Sequence, residues 1–279
     1  MPPSLVEQVN VAIVEWQQGD VALEEKWFLH AADPKIPLTA AAKTLKGMDG
    51  PQYLSTGVEG LVIVTQTCDI IRDCNERSFL EVCPLVKVDQ TVLNEIRLAR
   101  RPNYVFIPGT AKLLLVADLD RTMTIEKGLI CSWKRTAGCT TDAELREFAT
   151  ALARKRQRFA FPDDFNVFTN KLQSLLKEKH GKQSPQGEAL RALNQIRIKA
   201  APAWNAKNIT LVFYFIMEEN AKRTKVFEHY EKWMQLIPAS SHFNNVEGVL
   251  VFLEDMKASD YVESDPLDLD NLSIAIPKT

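Results

Sequence analysis

The hydrophobic pattern of this chain changes period once, and that change limits the fold more than any single motif does. Up to about residue 133, apolar residues come in short runs with strand-like alternation, set apart by polar turns. Residues 9–15, 26–30, 61–66, 79–88, 104–107, 112–116, 122–125 and 129–133 read as strands, with 104–107 and 112–116 paired across Pro108-Gly109. Residues 91–99 have helical spacing, ended by Arg100, Arg101 and Pro102. Residues 31–60 are rich in Pro, Gly, Ala and Thr and read as a long loop with a helical turn at 40–45.

Beyond that stretch the period lengthens. Thr141, with Glu144 three residues on, forms a capping box for a helix running to about Phe159. Asp163 and Asp164 suit the positive end of a second helix that stops near Gly181. A third helix is expected over 187–199. Residues 209–217 form a near-continuous apolar run, the signature of a central strand. An amphipathic helix at 220–236 and a strand at 246–252 follow, and the tail from Ser259 reads as an acidic loop. The helix repeats Val226, Tyr230, Trp233 and Ile237 as a packing stripe, so these residues and Trp204 are expected in a core. The expected class is α+β: a β-rich first half, a helical middle and a smaller strand–helix–strand end, divided as 1–160 and 161–279.

Composition excludes several classes. Of 279 residues, 46% are apolar and 25% charged, a balance that argues against collagen-like, disordered and disulfide-scaffold chains. The longest apolar runs are too short to cross a bilayer, so no membrane partner is expected. The first residues lack the basic start and apolar stretch of a secretory signal, and five cysteines without a CxxC pair suit a reducing compartment. A cytoplasmic protein is expected. The net charge of −2 hides an asymmetry: residues 121–200 carry 16 Lys/Arg against 8 Asp/Glu, while both flanks are acidic. Such a basic middle either attracts a polyanion or packs against the acidic segments.

Four short segments carry a family resemblance. They are Gln18-Gly19-Asp20, the apolar strand Leu61-Val62-Ile63-Val64-Thr65-Gln66, Leu80-Glu81-Val82-Cys83-Pro84, and residues 128–133 followed by the 141–158 helix. In this order they resemble the MazF/PemK toxin family over roughly residues 10–158. The resemblance implies a small SH3-like β-barrel in the first half. It does not bring that family's ribonuclease site with it. The arginine expected before the second core strand is replaced by Gly57-Val58-Glu59-Gly60, and Leu85-Val86 stand where a threonine or serine follows the proline. A further likeness joins Thr65-Gln66-Thr67-Cys68-Asp69-Ile70 and the segment Ser264 to Ser273 to uncharacterised bacterial proteins of mobile-element and antiphage-defence regions.

Candidate chemistry centres on two places. Cys68 and Asp69, at the end of a strand, are the candidate catalytic pair, with Cys68 a nucleophile if one of His30, His180, His229 or His242 lowers its pKa. The plainer reading makes Cys68 a buried filler and Asp69 a turn cap. Asp118 and Asp120 alternate as paired acids do at magnesium, or form a polar turn before Arg121. The cysteines lack tight zinc-knuckle spacing, so neither metal nor cofactor is expected. Arg154, Lys155, Arg156 and Arg158 crowd a helix end beside Phe159 and Phe161, an arrangement suited to phosphate contact and base stacking. Arg97, Arg100 and Arg101 are expected to extend that surface. A helix C-terminus also favours cations for electrostatic reasons alone.

The expected function is therefore a non-catalytic nucleic-acid- or nucleotide-binding accessory or sensing protein, with RNA or DNA and a protein encoded nearby as partners. The alternatives are an enzyme, either a toxin-like nuclease or a Cys68-dependent hydrolase, and a protein-interaction subunit without a polyanion ligand.

Overall fold

Ser4 begins the first element with a reciprocal cap. Its hydroxyl accepts from the Glu7 amide at 3.2 Å, and the Glu7 carboxylate accepts from the Ser4 amide at 2.6 Å. The helix α1 (Leu5–Ile13) follows, where a strand over 9–15 is expected from the alternation. The cap decides the outcome, because it satisfies amides that an isolated strand would leave open. The computed structural model describes residues 4–97, 101–157, 159–180, 182–217, 223–238 and 242–267. Two compact units divide the chain, Met1–Arg156 and Gln157–Thr279.

After α1 the first unit contains β1 (Val21–Ala22), β2 (Trp27–Ala32), α2 (Ala40–Lys43), β3 (Gln52–Gly57), β4 (Leu61–Ile63), α3 (Thr67–Ile70) and β5 (Phe79–Lys87). Then come α4 (Gln90–Arg97), β6 (Tyr104–Phe106), β7 (Leu115–Asp118), β8 (Met123–Glu126) and α5 (Asp142–Gln157). The main sheet runs β1-β4-β5-β7-β6, and β8 also pairs with β5. Every pairing in it is antiparallel. The nine-residue β5 organises this sheet: Phe79–Val82 pair with β8, Val82–Pro84 with β4, and Leu85–Lys87 with β7.

The described strands form no closed barrel. The edge strand β1 has two residues, pairs with β4, and meets the chain's later part through a single Val21–Thr136 bridge. Two other expectations fail here for tertiary reasons. The segment 31–60 contains β3, whose alternating Gln-Tyr-Leu-Ser-Thr-Gly pattern pairs residue by residue with β2. Residues 129–133, expected as a strand, belong to a 3-10 turn over Lys127–Ser132. That turn puts Ile130 and Trp133 on one side, into a core with Trp16 6.4 Å from Trp133.

The second unit contains α6 (Asp163–His180), α7 (Pro185–Arg191), β9 (Leu193–Ala201), β10 (Thr210–Met217), α8 (Arg223–Met234), β11 (Asn245–Phe252), α9 (Ala258–Val262) and β12 (Asp265–Pro266). Its sheet order is β11-β10-β9-β12, with β10 and β11 parallel across the α8 crossover. Phe165, Phe168, Leu172 and Leu176 recur at helical spacing on α6 and pack with Phe213, Phe215, Val226 and Trp233 in one core. The expected helix over 187–199 ends at Arg191. Its second half is β9, because pairing with β10 fixes the backbone and puts Ile196 and Ile198 into the core. The expected acidic loop from Ser259 is ordered in part as well. Leu267 is buried, and its amide donates to the Ile196 carbonyl at 2.8 Å. The rest of the Ser264 to Ser273 segment lies outside the described residues. No helix among the described residues is long and apolar enough to cross a membrane.

Candidate functional site

The last turn of α5 meets two acidic elements of the main sheet. Asp118 ends β7, where its carboxylate accepts the Asp120 amide at 3.0 Å and Arg121 Nε at 2.8 Å. This Asx-type turn sets the direction of Asp120. Asp120 then pairs with Lys155 Nζ and accepts from the Asn103 side chain at 3.5 Å. The next residue of α5, Arg156, reaches Glu81 on β5 at 2.8 Å. The Glu81 backbone is in turn fixed by Thr65, whose hydroxyl accepts its amide at 2.6 Å. Arg154 occupies the same turn of the helix.

The Lys155–Asp120 and Arg156–Glu81 pairs lie at the surface, whereas Asp118 is largely buried. The Arg156 side chain is 63% exposed and that of its partner Glu81 43%. Pairs of this kind contribute about 0–1 kcal/mol, so their partners exchange at little cost. Of the other cations in the sequence pattern, Arg101 pairs with Glu95 at 2.6 Å, and Arg97 stands over the Phe106 ring at 5.1 Å. Because β6 pairs with β7 through Tyr104 and Asp118, the Arg101–Asn103 stretch and α5 converge on the Asp120 turn. Arg100 and Arg158 lie outside the described residues. Phe159 meets Phe161 edge to face and stacks on Trp204, and Phe161 stacks on Phe165 and meets Trp204 edge to face, at 4.8–5.5 Å. They are part of the second unit's aromatic packing.

Cys68 and Asp69 sit in the four-residue helix α3. Cys68 is exposed, which overturns its reading as a buried filler, and its Sγ lies 3.7 Å from Gln66 Oε1. The Asp69 carbonyl accepts from Lys127 Nζ at 3.0 Å, and the Arg72 carbonyl from the same ammonium at 2.7 Å. Lys127 is thus a buried side-chain cap for α3, and burial pulls its pKa below the usual lysine range. Asn10 pins the following residues, donating to Asp73 at 2.7 Å and accepting the Cys74 amide at 3.0 Å.

The histidines considered as bases for Cys68 have other surroundings. His30 stacks on Phe28 in β2. His180, His229 and His242 belong to the second unit. His229 stacks on Trp233. His242 spends both ring nitrogens, on Asp164 at 2.6 Å and the Ala206 carbonyl at 3.0 Å. Cys83 and Cys139 are buried, and burial pushes both thiols up to about 11, away from the reactive thiolate. Among the described residues no three His, Cys, Asp or Glu side chains converge as a metal site. Asp118 and Asp120 hold cationic side chains.

A further polar feature was not legible in the sequence. Asp20 is fully buried, and its Oδ2 accepts the Gln17 amide at 2.8 Å and Arg135 Nε at 2.6 Å. Burial raises its pKa, against the pull of Arg135 and nearby amides. The loop before it turns at Gly19 with φ +90°, and a Cβ on Gly138 would collide with the Gly19 carbonyl. Two glycine segments far apart in sequence therefore press backbone to backbone and bring Asp20 beside Arg135. Gln18-Gly19-Asp20 was visible as a motif. Its partner, 115 residues downstream, had no local signal.

No family model matches the chain, no curated protein matches it significantly, and no solved structure does.

Proposed function

We propose that this protein is a non-catalytic nucleic-acid- or nucleotide-binding accessory protein of the cytoplasm, serving in a bacterial defence or mobile-element system. One observation carries the binding reading. Adjacent Lys155 and Arg156 diverge to two separate surface carboxylates, Asp120 and Glu81, so two cations stand at the surface in exchangeable pairs. A phosphodiester strand competes for the same cations with charge-assisted hydrogen bonds of equal kind. The internal acids make that binding weak and strongly dependent on salt. The defence setting rests on the likeness of Thr65 to Ile70 and Ser264 to Ser273 to proteins of such regions. An SH3-like kinship of the first unit draws support from β5, a long strand shared among β4, β7 and β8.

The test is binding of labelled single-stranded RNA, single-stranded DNA and duplex DNA across a salt series, with the strands then run on a gel. Binding that falls steeply with salt, with intact strands, supports the proposal. Shortened strands favour a nuclease, with Cys68, Asp69 and Asp118 next for substitution. Neither binding nor cleavage favours a protein-interaction subunit. The outer side of the β2–β3 ribbon and its connection gives that second reading its footing: Ile36, Leu38 and Tyr53 are 71–87% exposed, and Leu29 is 43% exposed.

A further inference from the structure

Arg135 is held in an unusual way for an arginine that only closes a salt bridge. A guanidinium has five N–H donors, and the strong carboxylate geometry is bidentate. Here a single carboxylate oxygen, Asp20 Oδ2, takes Nε at 2.6 Å. Asp20 Oδ1 is buried and takes no hydrogen bond from the guanidinium. Among the described residues this is the one ion pair of Arg135, and the two Nη groups have no hydrogen-bond acceptor. The Arg135 side chain is 33% exposed over a carboxylate that is 0% exposed. Burying a charged carboxylate under such a pair carries a desolvation penalty that an apolar pair of equal volume would not. The cost brings one clear geometric result. Nε is fixed from below, and the Nη end of the fork is left for something outside.

The open donors of the guanidinium, and no neighbouring cation, set the charge sign of that partner. Lys134, next in the chain, is spent on Glu24 at 3.3 Å, with both side chains mostly exposed. The backbone on either side is rigid: Val21 and Thr136 exchange two hydrogen bonds of 2.9 Å. The Gly19–Gly138 contact admits no side chain between the loops. A planar cation fixed along its Nε edge, with its Nη donors open, matches the oxygens of a phosphate. We propose that Arg135 binds a phosphate group through its Nη donors and that Asp20 is the residue that positions it. This site is separate from the α5 ion pairs and stands or fails independently of the nucleic-acid reading, since its ligand is the phosphate group itself.

The test uses the whole wild-type protein and inorganic phosphate. Arginines are labelled with phenylglyoxal in phosphate or in sodium chloride of equal ionic strength, and Arg135 is followed by peptide mass mapping. Phosphate at about 10 mM is expected to slow Arg135 labelling about fivefold relative to chloride. Equal rates in the two salts overturn the proposal. A second measurement follows the Arg135 Nε–H resonance by NMR. Asp20→Asn is expected to shift that resonance and weaken phosphate binding about fivefold in a folded protein. Unchanged affinity in folded Asp20→Asn removes Asp20 from the site. Arg135→Lys keeps the charge and loses the fork, and is expected to bind phosphate about tenfold more weakly. Unchanged affinity in that variant overturns the role of Arg135. If oligonucleotides bind but phosphate does not protect Arg135, the α5 reading survives and this one does not.

Discussion

The two units bury different things. In the second, one continuous core joins α6, α7, α8 and the sheet, and among the described residues its buried polar side chains are the neutral Thr169 and Ser264. The first divides its apolar residues among three clusters and buries Asp20, Asp118 and Lys127 beside them. A single aromatic core stabilises through area and packing, with little need for directed polar contacts. A divided core with buried charges depends on particular hydrogen bonds, each costly to leave unmade. Arg135 over the buried Asp20 is a polar group held at such a cost, while the α5 pairs belong to the same unit but lie at its surface, where exchange costs little.

Substitutions sharpen this contrast, beginning with the largest effect. Trp233 is fully buried among Phe215 and its neighbours, so Trp233→Ala is expected to cost about 3–5 kcal/mol in urea unfolding. Its indole N–H is buried without a partner, so Trp233→Phe is expected to cost much less. Equal costs would mean that shape alone decides there. In the first unit, Lys127→Met removes the cap on the Asp69 and Arg72 carbonyls. It is expected to cost about 1–3 kcal/mol and to speed amide exchange across 66–77. A loss spread evenly over the protein would break the idea that this unit depends on local polar contacts.

Smaller effects follow. The His242 pKa is raised because the Ala206 carbonyl and Asp164 both favour the imidazolium. A raised pKa means that this stabilisation is complete below the unfolded value of about 6.5 and lost as pH rises through the folded value. The melting difference between wild type and His242→Gln is therefore expected to be largest near pH 6 and to vanish at high pH. A difference that grows with pH would contradict the assignment. Cys68→Ser should change stability by less than about 0.5 kcal/mol, since the side chain is exposed. A large loss would return Cys68 to the core.

Much of the second unit was legible because its signals are strong and local. The apolar run of β10, the α6 acids and the α8 stripe each fall in one window. The conversion of 193–199 from helix to strand was not, because β9 owes its form to pairing with β10. In the first unit, β5 and the Thr141–Glu144 cap were legible, the latter confirmed by reciprocal bonds of 3.1 and 3.2 Å. The basic end of α5 was visible as composition, yet its pairing with Glu81 and Asp120 was not. Those acids lie 75 and 35 residues away. Lys127 and Arg135 were hidden for the same reason: a lone cation in sequence becomes meaningful when a distant carbonyl or carboxylate is folded against it.

The most direct measurement of the central claim compares two charge variants on one labelled single-stranded RNA at low salt. Lys155→Gln/Arg156→Gln removes the proposed ligand cations, while Glu81→Gln/Asp120→Asn removes the acids that compete for them. The account predicts about tenfold weaker binding for the first and severalfold tighter binding for the second, with a smaller salt slope in the first. Equal affinities for both variants and the wild type would contradict a nucleic-acid surface at the end of α5.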